Sequence, residues 1–144
     1  MPKSKVAILR TSPATVLRDY HSVMNLAGYQ DVLAKDADTA LKVNISWHFF
    51  FPGASTTPWQ LDGVIKAMKQ DGYDPGLIHA CHNRTVVIDA HFGERENKQL
   101  NVVEAHGLRN ITSTRTSRGS TSRTRWAISR RSSCVSMRST RTDS

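Results

Sequence analysis

The first 109 residues alternate between short apolar blocks and polar, turn-forming stretches. Lys5–Leu9 (KVAIL) is a β-branched and aliphatic run, which predicts a first strand. Ser12-Pro13 then supplies a capping side chain followed by a proline suited to the first helical position. Val16, Leu17, Tyr20, Val23, Met24 and Ala27 follow at helical spacing, and Gly28 stands where a C-terminal cap belongs. Thr39–Ser46 (TALKVNIS) reads as a second strand, and the aromatic, Pro-Gly-broken Trp47–Ser55 (WHFFFPGAS) as a loop. Thr56-Thr57-Pro58 repeats the cap-then-proline chemistry. Leu61, Val64, Ile65 and Met68 form the apolar face of the helix it opens, and Gly72 ends it. After a Pro75-Gly76 turn, Leu77–Cys81 predicts a third strand. Thr85–Ala90 fits a fourth strand or an extended loop. Glu94–His106 predicts a third helix with Leu100, Val102 and Val103 inward, closed by Gly107.

Strand and helix alternating at this spacing predict an α/β fold. The expected architecture is a Rossmann-like, mainly parallel sheet of three to four strands with three helices and right-handed crossovers. The pattern stops after Gly107. Leu108–Ile111 begins like another strand, but of the 35 residues from Asn110 onward 17 are Ser or Thr and 8 are Arg. The seven apolar residues among them follow the period of neither strand nor helix. Such a segment buries too little apolar surface to offset an ordering entropy of about 1–2 kcal/mol per residue, so disorder is expected. The domain reading is therefore a partial α/β domain over residues 1–111 and an Arg/Ser/Thr-rich tail over 112–144.

Charge divides at the same boundary. The net charge is +8 over 144 residues, but residues 1–109 carry only +1 of it and residues 110–144 carry +7. All seven lysines precede residue 99, and every basic residue after 109 is arginine. A change of reading frame near Ile111 in a GC-rich gene accounts for so complete a swap, and a basic tail in its own frame is the alternative. On the frame reading the native protein continues as α/β sequence, this chain is inactive, and its shortened sheet leaves an unpaired edge that favours aggregation. No apolar run approaches the length of a transmembrane helix, and the four apolar residues Val6–Leu9 do not make a signal-peptide core. The expectation is a cytoplasmic chain with no membrane partner. Two cysteines, Cys81 and Cys134, do not build a disulfide scaffold or a four-cysteine cluster.

Ala40-Leu41-Lys42-Val43-Asn44 resembles the strand and Lys-x-Asn signature of the domain of unknown function 362 family. Thr56-Thr57-Pro58, with a helix running to Gly72, is similar to the threonine–proline-then-helix step that follows in that family. Leu77–Cys81 and His82-Asn83-Arg84-Thr85-Val86-Val87 continue in similar order. The resemblance covers roughly residues 4–111 and implies a fold more directly than a reaction. Family members are often labelled iron–sulfur-associated, continue well beyond this length, and in some cases carry a ferredoxin-like module with closely spaced cysteines. Such cysteines are missing here, and the family's Lys-Pro-Asn stands as Lys42-Val43-Asn44.

Four residues make the leading candidate site. The helix opened by Thr56 and Thr57 offers free N–H groups and a partial positive charge, suited to a phosphate or carboxylate. Ligands of open α/β sheets bind beyond the carboxyl ends of the strands, where Lys42 could neutralise an anion and Asn44 orient it. The expected partner is an anionic small molecule or cofactor of unspecified identity. Against this stands the plain alternative that Thr57 only caps the helix and Lys42 is solvated. His79, Cys81 and His82 suggest a metal site, with His48 and His91 as further donors, but the usual zinc spacings are missing and no metal is expected. Cys81 as a nucleophile would need a base from His48, His82 or His91. No Gly-x-Ser-x-Gly, GxGxxG or phosphate-loop motif occurs, and neither Asp62 nor Asp89 shows a partner that would mark an acid–base dyad. Trp47, Phe49, Phe50 and Phe51 form either a pocket wall or loop residues folded over the sheet edge. The eight arginines of the tail predict salt-dependent, non-specific polyanion binding. A small basic-tailed nucleic-acid-binding protein is accordingly the alternative function.

Overall fold

The computed structural model describes residues 5–83 and 87–113. Among them run α1 (Val16–Ala27), β1 (Thr39–Lys42), α2 (Pro58–Gln70), β2 (Ile78–Asn83), α3 (Ala90–Glu96), α4 (Gln99–Ala105) and β3 (Arg109–Ser113). Short 3-10 turns at Tyr29–Asp31 and Pro75–Leu77 precede β1 and β2. The fold is α/β with an open sheet of three parallel strands in the order β1-β2-β3.

Register assigns each strand residue to a face. Thr39 pairs with Ile78 and Leu41 with Ala80, while Ala40 pairs with His79 and Lys42 with Cys81. Side chains alternate along a strand, so Thr39, Leu41, Val43, Ile78, Ala80 and His82 share the inner face. Burial agrees: Val43, Ile78 and Ala80 are core residues, whereas Ala40 and Lys42 are exposed. The core joins these strand residues to Met24 of α1, to Leu61, Ile65, Ala67 and Met68 of α2, and to Val103 of α4.

Helix α1 packs along α2. At Gly63 the two approach tightly, since a Cβ there would overlap the Tyr20 ring. Thr57 caps α2 as expected, its Oγ1 accepting from Gln60 N at 3.3 Å, with Pro58 in the first turn. The three glycines placed at helix ends, Gly28, Gly72 and Gly107, all take positive φ. That conformation frees each chain to turn away from its helix.

Several local expectations need correction. Lys5–Leu9 is not a strand: Val6 and Ile8 are 80% and 89% exposed and pair with nothing in the sheet. A strand needs a hydrogen-bonding partner as well as β propensity, and the apolar run supplies only propensity. The first helix begins three residues later than the Ser12 cap implies, at Val16. Ser12 instead closes a turn, its carbonyl oxygen accepting from Thr15 N and Val16 N at 3.1 and 3.0 Å. Strand β1 ends at Lys42 rather than Ser46. The helix expected over Glu94–His106 is two helices, α3 beginning earlier at Ala90, with a break at Asn97-Lys98 where Lys98 takes a left-handed φ of 61°. Of the segment Thr85–Ala90, residues 85 and 86 lie outside the described residues and 87–89 form no strand. The third strand of the sheet is β3, from the run that begins at Leu108. Of the tail assigned to 112–144, residues 114–144 lie outside the described residues.

Candidate functional site

Parallel strands place their carboxyl ends at one edge, and the loops that leave there build a polar cluster. Its hub is Glu94, about one turn into α3, with 7% of its surface exposed. Asp89 starts that helix by accepting the N–H groups of His91 and Phe92 at 3.0 Å each. This puts His91 and Glu94 three residues apart on one helix face. Glu94 Oε2 accepts from His82 Nε2 at 2.5 Å and from Asn110 Nδ2 at 2.7 Å. Its Oε1 faces His91 Nδ1 at 3.4 Å. One carboxylate thereby ties α3 to the ends of β2 and β3. Burial pushes the Glu94 carboxyl up, but donation from Asn110 and His82, the charge of the His82 imidazole and the His91 bond together hold it below its ordinary value. His82 is buried, whereas the His91 side chain is 56% exposed. With Nδ1 turned to Glu94, the opposite nitrogen of His91, Nε2, lies on the outer side of the ring.

Beside this cluster lies the loop between β1 and α2. Trp47 stacks on His48 at 4.6 Å, and Phe92 meets His48 and Phe49 edge-on at 5.9 and 5.8 Å. Trp47, Phe49, Phe50, Phe51 and Ala54 line an open apolar groove of about 490 Å³. All four aromatics are well exposed. Helix α3 reaches this loop because residue 93 is glycine. A Cβ there would sit 2.6 Å from Ile45 Cγ2 and 3.4 Å from His48 Cα.

The break between α3 and α4 holds the loop in place. Asn97 and Gln99 are almost wholly buried amides on either side of Lys98. Asn97 Nδ2 donates to Trp47 O at 3.0 Å, and its Oδ1 accepts from Phe51 N at 3.3 Å. Gln99 Nε2 donates to Thr56 O at 2.6 Å and, more weakly, to Asn44 O at 3.4 Å. The left-handed Lys98 turns the chain so that both amides serve one loop. A non-glycine residue in that conformation is costly and persists where surrounding bonds over-determine it.

Of the four residues expected to form an anion crevice, three come together. Asn44 N donates to Thr56 Oγ1 and Thr56 N to Asn44 O, both at 2.9 Å. Asn44 Nδ2 donates to Ser46 Oγ at 2.6 Å, and the Thr57 hydroxyl is the α2 cap. These groups satisfy one another and stitch the end of β1 to the start of α2. Lys42 lies by register on the outer face of the sheet, and its Nζ donates to Val43 O at 2.8 Å. The four therefore do not converge on one crevice.

The remaining candidates separate by strand alternation. His79 and Cys81 share the outer face and His82 points inward. No group of three or more His, Cys, Asp and Glu side chains arranged to hold a metal occurs among the described residues. A cluster of the iron–sulfur kind needs several thiolates, and Cys81 is the one cysteine among the described residues, so these residues do not fit one. Asp62 bonds His106 at 2.7 Å and Lys66 at 2.7 Å, and Asp89 caps α3, so both have structural partners. His82, His91 and His48 were recognisable as candidate bases from sequence, but Glu94, Asn97, Gln99 and Asn110 were not. The signal the sequence carries is a capping Asp89 followed by His91 and Glu94 at helical spacing, which the apolar pattern of the following residues does not reveal.

Comparison with family models, with curated proteins and with solved structures finds no match for this chain.

Proposed function

We propose that this chain binds a small anionic molecule with an apolar portion at the carboxyl edge of its sheet. The apolar portion lies against Trp47, Phe49 and Phe51, and the charged group meets His91. The observation that supports this is Glu94, a buried carboxylate that orients one inward and one outward imidazole at the end of the central strand. Burying a carboxylate is costly, and well-packed apolar residues would hold α3 to the sheet as well or better. A carboxylate behind a half-exposed imidazole is, in contrast, an arrangement that fixes the ring and readies its outer nitrogen to donate to an anion or exchange a proton. Open α/β sheets bind ligands at this edge. The reading keeps the anionic ligand expected from sequence and moves its contact from the α2 cap to His91. A Rossmann-like architecture, supported by the alternation of strands and helices, and membership of the domain of unknown function 362 family, supported by motif order, belong to the same proposal. Non-specific polyanion binding by the arginine-rich segment is a separate proposal, supported by its charge of +7 over residues 110–144.

The test is titration of the full chain, labelled at the histidine ring nitrogens, with benzoate as a probe that joins an apolar ring to a carboxylate. A saturable shift of the His91 signals, abolished in Phe49→Ala with helix content unchanged, is the expected result. Ring signals that stay fixed or drift linearly with benzoate overturn the proposal.

A further inference from the structure

Behind the Glu94 cluster, between the sheet and α4, lies a second and much smaller cavity of about 10 Å³. Ala80, Leu100 and Val103 supply apolar wall, and Glu94, Gln99 and Asn110 supply polar atoms. Gln99 is 2% exposed, and its Oε1 has no hydrogen-bond partner among the described residues. Its amide nitrogen is committed to the carbonyl oxygens of Thr56 and Asn44. Flipping the amide would set an oxygen against those two oxygens, so Oε1 is held facing away from the loop. A buried carbonyl oxygen without a donor is costly, and native proteins meet such a need with protein or ordered water.

We infer that this cavity is a binding site for one internal water that donates to Gln99 Oε1. The volume suits a single water, which needs two to four polar partners. The donor and acceptor count closes. The water's second hydrogen meets the Glu94 carboxylate, whose four acceptor positions are not filled by His82, Asn110 and His91. Asn110 Nδ2 has a second hydrogen to give the water's oxygen, since one is used on Glu94. The water joins two networks that otherwise lie side by side. One runs from His91 through Glu94, and the other from Gln99 to the backbone of the aromatic loop. The site stands independently of the ligand proposal, because it rests on Gln99, Glu94, Asn110 and the cavity and needs neither the His91 outer nitrogen nor the aromatic groove.

Water-to-methyl cross-relaxation on the methyl-labelled full chain tests it. Cross-peaks at the water frequency are expected on the Ala80 and Val103 methyls, with the sign that marks a water held for longer than molecular tumbling. Ala80→Val, which adds two methyl groups into the cavity, removes the Val103 cross-peak. Val103→Ile removes the Ala80 cross-peak and replaces the first variant if that one does not fold. Methyls silent at the water frequency in the parent chain, or cross-peaks that survive a filled cavity, overturn the inference. Neither result depends on whether benzoate binds.

Discussion

Glu94→Gln isolates the charge of the carboxylate with almost no change of shape. In the parent chain His82 and Asn110 donate to the same oxygen at 2.5 and 2.7 Å, and the acceptor is ionised because its carboxyl lies below its ordinary value. Hydrogen bonds to a charged group contribute about 1.5–3 kcal/mol each. Glutamine can hold its one carbonyl oxygen to both donors, but only as a neutral acceptor, and its NH2 group then faces His91 Nδ1. Two charge-assisted bonds become neutral ones, for an expected cost of about 2–3 kcal/mol at neutral pH. Urea unfolding of the full chain, followed by circular dichroism, measures it. The pH dependence supplies the sign. A carboxyl whose folded value is depressed contributes stability above its unfolded value of about 4.3, and that stability is lost as pH falls through the folded value. The gap between the parent and Glu94→Gln should therefore narrow as pH drops below about 4. Asp71 and Asp62, also held below their ordinary values, remain in both chains and cancel from the difference. A neutral-pH cost below about 0.5 kcal/mol, within the range of ordinary surface substitutions, refutes the reasoning. So does a gap that stays constant into acid.

Gly63→Ala drives a methyl into the Tyr20 ring and should cost about 1–3 kcal/mol, recovered in large part by a second substitution Tyr20→Ala in a double-mutant cycle. Lys98→Gly relieves a left-handed residue worth about 1–2 kcal/mol against an entropic cost of about 0.5–1 kcal/mol for glycine. The urea midpoint should rise slightly, and a fall would mean that the Lys98 conformation is not strained. Binding of the full chain to duplex DNA should weaken steeply with salt, with a log–log slope of about −0.9 per phosphate neutralised. A chain ending at residue 113 should lose that binding, and retention would place the polyanion surface in the folded part.

Much of the architecture was legible because it follows from local chemistry. Thr57-Pro58 opens α2 and Gly28 closes α1 through capping interactions that need only neighbouring residues. The apolar spacing of Leu61, Ile65 and Met68 put them in the core, and the alternation of strands and helices fixed a parallel sheet. The Lys5–Leu9 run misleads for a complementary reason. Its β propensity is real, but pairing is decided by whether an edge lies within reach, which no local pattern encodes.

The candidate site was legible only in part. Histidines near strand ends can be noticed in a sequence, but their partners are brought in from other elements. Glu94 meets His82 across 12 positions and Asn110 across 16, and Gln99 meets Thr56 across 43. The break at Lys98 likewise has no glycine or proline to announce it, because it is imposed by the two amides that flank it and the loop they hold. The sequence by itself determined the elements, their caps and the inward face of each, since those depend on spacing and nearest neighbours. Tertiary structure alone decided which strands pair, where the long helix divides and which side chains share the Glu94 carboxylate. Those outcomes depend on contacts between residues far apart in the chain, whose hydrogen bonds outweigh local preference once water is excluded.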